Sequence, residues 1–208
     1  MQPFEERWQQ LWQGIGTPAP AGLLDALLAA WREPQRHYHT LQHLEECLGH
    51  FDAARTLGEH AAEVELALWF HDAVYDVHAH DNEARSADWA LRSLAGAGLA
   101  PACCERVAAL VMATAAHAPS AATDAQLLTD IDLAILGAPP PRFAEYERQI
   151  RAEYAHVPAA LFAHKRREVL QGFLARERIY QTAHFGARLE SQARANLLHA
   201  LGIPGVMA

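Results

Sequence analysis

Residues 65–76 read ELALWFHDAVYD, and the fold follows from how this stretch is placed. Leu66, Ala67, Leu68, Trp69 and Phe70 are consecutive apolar residues. At about 100° per residue they cover every side of a helix, so the segment belongs in a core rather than on a surface. His71 and Asp72 follow at once. A histidine and a carboxylate at the end of a buried helix are costly unless they are paired or bound to a metal. The rest of the chain is therefore read for groups that meet them.

Outward from that stretch, helical periodicity runs throughout, with no sustained alternation of apolar and polar residues, so the expected fold is all-α. Helices are expected over 4–12, 22–31, 40–57, 83–97, 101–117, 124–136, 143–156, 159–176 and 184–201. Thr40 is placed to cap the third, and Asp81 or Asn82 the helix after the core segment. Leu41, Leu44, Leu48 and Phe51 form the stripe of helix 40–57, with His43 at its edge and His39 one turn earlier. The tryptophans, Trp8, Trp12, Trp31, Trp69 and Trp89, read as core; Tyr38 and Tyr75 could line a pocket. GAPPP (137–141) is the sharpest break, but both sides are equally helical, and one domain over 1–208 is expected. Its motif core spans about 36–137, with helices over 142–202 packing on it.

A net charge of −8 and a pI near 5.9 argue against a nucleic-acid polymer as partner. No run reaches the ~18 apolar residues of a membrane span, and the charged amphipathic start lacks an apolar signal core. Cys47, Cys103 and Cys104 form no CxxC, which is poor for a disulfide framework or a structural zinc and suits a reducing cytoplasm. A cytoplasmic protein with no membrane partner is expected.

Thirteen histidines make an HD dipeptide by chance an ordinary event, and a second one, His80-Asp81, occurs. That pair lies in a polar loop before a helix start, where Asp81 has a capping role available. His71-Asp72 differs because it ends a buried helix. His43 on one stripe, His71-Asp72 on another, and an aspartate in TDIDLAIL (129–136) beside a third give two imidazoles and two carboxylates. Such a set suits a divalent ion, with Mn, Fe, Co or Ni favoured at least as well as Zn. Asp130 and Asp132 each lie about 100° from the centre of their stripe, on opposite sides, so periodicity does not choose between them.

RHYHTLQHL (36–44), ALWFHDAVYD (67–76), DNEARSA (81–87) and DIDLAILG (130–137), with IRAEY (150–154) and NLL (196–198), together resemble one branch of the HD superfamily of metal-dependent phosphohydrolases. The resemblance covers most of the chain and says little about substrate. It implies an all-α HD-type domain holding one or two divalent ions, of Mn, Fe, Co, Ni, Zn or Mg. By position, the ligands it implies are His43, His71, Asp72 and Asp132, with Asp130 orienting a ligand. The activity it implies is hydrolysis of a small phosphate ester or nucleotide by metal-activated water.

Asp72, Glu83 and His117 are candidates for catalysis. Glu83 reads equally as an acidic residue in a helix's first turn, and His117 equally as a helix C-terminal histidine favoured by the macrodipole. Arg36, His39, Asn82, Arg151 and Arg166 are candidates for contacting the substrate, the guanidinium forks because they match phosphate oxygens. Two other classes stay open: a di-iron oxygenase of the same superfamily, using His39, His80 or His117 as further ligands, and a non-enzymatic nucleotide sensor.

Overall fold

The structure is a computed structural model that describes residues 3–203. Those residues form ten α-helices and two short 3-10 turns, with no strand among them. The all-α expectation holds. The chain divides into a unit ending at Thr129 and a second beginning at Asp130.

The first unit contains α1 (Phe4–Ile15), α2 (Leu23–Ala30), α3 (Leu41–Ala54), α4 (Ala61–Phe70), α5 (Asn82–Gly96) and α6 (Pro101–Ala113), and most of α7 (Thr123–Asp132). α4 is its axis. Leu66 to Phe70 are each 0% exposed, and α1, α3, α5 and α6 all pack against this helix. Burying a side chain such as Leu66, Leu68 or Phe70 contributes roughly 1.5–3 kcal/mol.

A helix buried on all sides also buries its acids. Glu65 accepts from Arg7 Nε at 2.8 Å and Arg55 Nη1 at 2.9 Å, and Arg7 forks onto Asp52 at 2.8 Å twice. Glu63 takes a fork from Arg106, 2.7 Å on each arm. These pairs let α4 lie where an isolated carboxylate could not. The start of α4 is held from α7: the Asp124 carboxylate accepts from the Glu59 and His60 amides, at 2.7 and 3.1 Å, and lies 3.0 Å from His60 Nδ1. A carboxylate there satisfies the amides that lead into the helix and complements its dipole.

Several boundaries differ from those read in the sequence. α1 continues to Ile15 and stops where Gly16 turns left-handed at φ 79°. The helix expected to reach His117 ends at Ala113. Thr114 takes its C-cap position, with the hydroxyl donating to the Val111 carbonyl at 2.8 Å. α7 ends at Asp132 and tightens into a 3-10 segment, Leu133–Gly137. Trp8, Trp12, Trp31 and Trp69 are core; Trp89 is only half-buried.

The second unit contains that 3-10 segment with α8 (Pro140–Glu153), α9 (Ala159–Leu174) and α10 (Ala183–Leu201). α10 packs on both α9 and the 3-10 segment. Its close approach requires Gly137: a Cβ there would sit 2.6 Å from Leu189 Cβ and 2.9 Å from the Tyr180 hydroxyl. Tyr180 donates to the Leu133 carbonyl at 3.1 Å, and Asn196 to the Leu136 carbonyl at 2.8 Å. The 3-10 carbonyls thus find partners within their own unit.

Candidate metal centre

Thr40 caps α3 as expected, its hydroxyl accepting from the Gln42 amide at 3.3 Å. His43 lies in the first turn that follows and is buried. α4 ends at Phe70, and His71 occupies its C-cap position with its amide bonded to the Ala67 carbonyl at 2.9 Å. The His71 ring is oriented by its own helix, since Nδ1 lies 2.8 Å from the Leu68 carbonyl. A carbonyl only accepts, so Nδ1 carries a proton, and in the neutral ring Nε2 then presents its lone pair. Fixing one imidazole nitrogen on a backbone carbonyl is how metal-ligating histidines are commonly held.

That lone pair points at His43. The two Nε2 atoms are 3.1 Å apart. Asp72 Oδ2 lies 3.2 Å from His71 Nε2 and 3.7 Å from His43 Nε2. Two ligands at about 2.1 Å from one ion, at right angles, stand ~3.0 Å apart, and at a tetrahedral angle ~3.4 Å. The His43–His71 and His71–Asp72 separations fall in that range, and the His43–Asp72 separation of 3.7 Å lies somewhat beyond it. Tyr38 packs on the His43 ring and Trp31 on the His71 ring, with centroids 4.7 and 5.4 Å apart. These walls keep the imidazoles from turning away.

The sequence reading missed Cys47. It stands four residues after His43 on the same helix face, and the donor atoms of His43, Cys47 and His71 lie within 4.8 Å of one another, a grouping that could hold a metal ion. The His-x-x-x-Cys spacing was the available signal. As placed, Cys47 Sγ is 3.7 Å from both ring nitrogens of His43. Cys47 is thus a candidate donor beside the two histidines.

The structure gives Arg36 a different place from that of a phosphate ligand. Its side chain is fully buried. Nη1 donates to the Asp72 carbonyl at 2.6 Å, Nη2 to the Ala73 carbonyl at 3.0 Å, and Nε to Glu33 at 3.0 Å. Arg36 thus holds the backbone of the HD turn from beneath. His39 lies at the open edge, its Nε2 4.0 Å from Asp72 Oδ2 and its ring stacked on Tyr75 at 4.1 Å.

Asn82 closes the loop after the HD turn: its Oδ1 accepts from the Asp76 amide at 3.1 Å and its Nδ2 donates to the Asp76 carbonyl at 2.9 Å. Asp81 takes the N-cap position of α5 without a side-chain capping bond, so the capping role expected of it is absent. Glu83 stands in the first turn of α5, half-buried. His117 lies beyond α6 with a left-handed backbone, φ 46°, and is not a helix-terminal residue.

Arg151 and Arg166 belong to the second unit and are engaged there. Arg151 donates to the Tyr154 and Val157 carbonyls at 2.7 and 3.1 Å. Arg166 pairs with Glu147 and lies over the Tyr146 ring. Asp130 is likewise committed. Its carboxylate accepts from the Gln181 amide at 2.8 Å and from the Thr182 amide and hydroxyl at 2.7 Å each. Burial pushes its pKa up and these bonds oppose that. Asp130 is thus committed within its own unit, and Asp132, the other aspartate on the last turn of α7, is half-buried.

No helix among the described residues is long and apolar enough to cross a membrane. No family model, curated protein or solved structure matches the chain.

Proposed function

We propose that the protein is a metal-dependent hydrolase of a small phosphate ester, with a nucleotide among the candidate substrates. The carrying observation is the 3.1 Å separation of His43 Nε2 and His71 Nε2 beside Asp72 Oδ2. The sequence resemblance to HD phosphohydrolases supports the same reading and adds Asp132 to the ligand set. The commitment of Asp130 to Gln181 and Thr182 favours Asp132 over its neighbour.

In this reading His43, His71, Asp72 and Asp132 hold a divalent ion. When bound, such an ion lowers the pKa of water toward neutrality and polarises a phosphoryl oxygen. The chain's own contributions are positional. The Leu68 carbonyl fixes the His71 tautomer, and Arg36 fixes the carbonyls of Asp72 and Ala73. His39, at the open edge, is placed to orient a phosphoryl oxygen or a water. The mixed imidazole and carboxylate set favours a transition ion over Mg.

The test is metal analysis of the purified protein together with phosphate release over a panel of nucleotides and sugar phosphates. Stoichiometric Mn, Fe, Co, Ni or Zn, with turnover lost in Asp72→Ala, is the expected result. Full metal content and full activity in Asp72→Ala would overturn the reading.

A further inference from the structure

A second cleft lies beside the HD turn in the first unit, with a volume of about 660 Å³. That is within the range of small-molecule sites. Its wall contains none of His39, His43, His71 and Asp72. It is built from the outer face of α2, the loop over 73–78 and the first two turns of α5.

The sequence explains why there is room. In LLDALLAA, Leu23, Leu27 and Leu28 face the core. Ala26, Ala29 and Ala30 present only methyl groups to the cleft. Two aromatic residues, Tyr75 and Trp89, stand among the lining groups. Trp89 is braced edge-on by Phe70 at 6.0 Å, and Tyr75 by its stack on His39.

The charged groups on the wall are not equivalent. Glu33 already accepts from Arg36 Nε and Gln35 Nε2, at 3.0 and 3.1 Å. Asp76 Oδ1 accepts from the His78 amide at 2.9 Å. Glu33 is thus paired with Arg36 and Asp76 with a backbone amide, each carboxylate reaching solvent, and Arg85 is the wall's guanidinium. A guanidinium beside two aromatic rings and a methyl-lined face matches a planar ring that carries an anionic group.

We infer that this cleft is a binding site, separate from the metal centre, for a small planar ring compound bearing a phosphate or carboxylate. Trp89 and Tyr75 receive the ring and Arg85 the anion. Because Tyr75 also stacks on His39, an occupant leans on the residue that borders Asp72. The site stands whether or not the metal centre hydrolyses anything.

Titration calorimetry on the full chain stripped of metal by chelation tests this, with adenosine monophosphate and phenyl phosphate as probes and inorganic phosphate as the comparison. Chelation removes the metal centre as a phosphate ligand, so remaining binding reports the cleft. At least one ring-bearing probe is expected to bind, and inorganic phosphate at least tenfold more weakly. Arg85→Ala is expected to weaken the ring probe at least tenfold, and Ala29→Phe, which fills the cleft, to abolish its binding. Ala29 and Arg85 are exposed, so both variants keep the fold; Trp89→Ala adds a further check. No binding of either ring probe, or binding that Ala29→Phe and Arg85→Ala leave unchanged, would overturn the proposal.

Discussion

His71 Nε2 stands 3.1 Å from His43 Nε2 with its other nitrogen fixed on the Leu68 carbonyl, so two helices meet at a pair of imidazole nitrogens. Removing either ring removes half of that pair. His43→Ala and His71→Ala are each expected to lower affinity for Mn or Co more than ~100-fold, exceeding the 10–100-fold typical of outer-shell changes. Calorimetry with the ion alone measures this. Retention of wild-type affinity in both variants would rule out the centre.

Arg36 acts at one remove. Arg36→Ala leaves the carbonyls of Asp72 and Ala73 buried without their donors, a loss of about 2–5 kcal/mol. Arg36→Lys restores the charge but not the fork. It is expected to recover part of the stability while metal affinity stays down ~10–100-fold. Chemical denaturation and metal titration on the same samples separate the two effects.

Glu65 is a second buried lever. Arg7→Ala leaves the buried Glu65 carboxylate with Arg55 as its remaining guanidinium partner and is expected to cost up to about 3 kcal/mol. The double replacement Arg7→Leu with Glu65→Leu should recover much of that, because neither charge then needs a partner. If the double variant is no more stable than Arg7→Ala, the pair is not what lets α4 stay buried.

The second unit has its own critical contact. Gly137→Ala brings a methyl to 2.6 Å from Leu189 Cβ, and α10 must shift to admit it. The expected destabilisation is about 1–3 kcal/mol, measurable as a lowered denaturation midpoint.

Burial raises the Cys103 thiol from 9.0 to about 11, helped by the neighbouring Glu63 charge. The folded protein holds this proton more tightly than the unfolded chain. Its contribution to stability is therefore complete below pH 9 and is lost as pH rises through 11. In a Cys47→Ser, Cys104→Ser background, the rate of thiol alkylation should reach half its maximum near pH 11 rather than 9. A midpoint at the free-thiol value would contradict the half-buried placement beside Glu63.

The core was legible because Leu66 to Phe70 leave no polar face, a property of spacing alone. His43 and Asp72 were legible as candidates for a similar reason, each lying at the edge or end of an apolar stripe. Arg36 was not. Its charge and its place beside His39 suggested an anion, and only the folded chain reveals that its donors point at carbonyls 36 and 37 residues away. Cys47 was passed over because a cysteine search looks for CxxC pairs, while its neighbour is a histidine one helical turn back. The end of α7 was misread because helical periodicity carries on through Leu133 to Leu136, and a 3-10 turn differs from an α-turn in pitch rather than in pattern.

α4 is ten residues long, held at its start by Asp124 and, just past its end, by Arg36. It behaves as a strut of fixed length, about 15 Å. A substitution along it changes packing, but one inserted or deleted residue turns everything downstream by about 100° about the helix axis. Such a change would swing His71 and Asp72 away from His43 while leaving composition and hydropathy almost untouched. Descendants of this chain can therefore vary the letters between 61 and 70 but not their number, and tolerance to insertion along the chain should reach a minimum there.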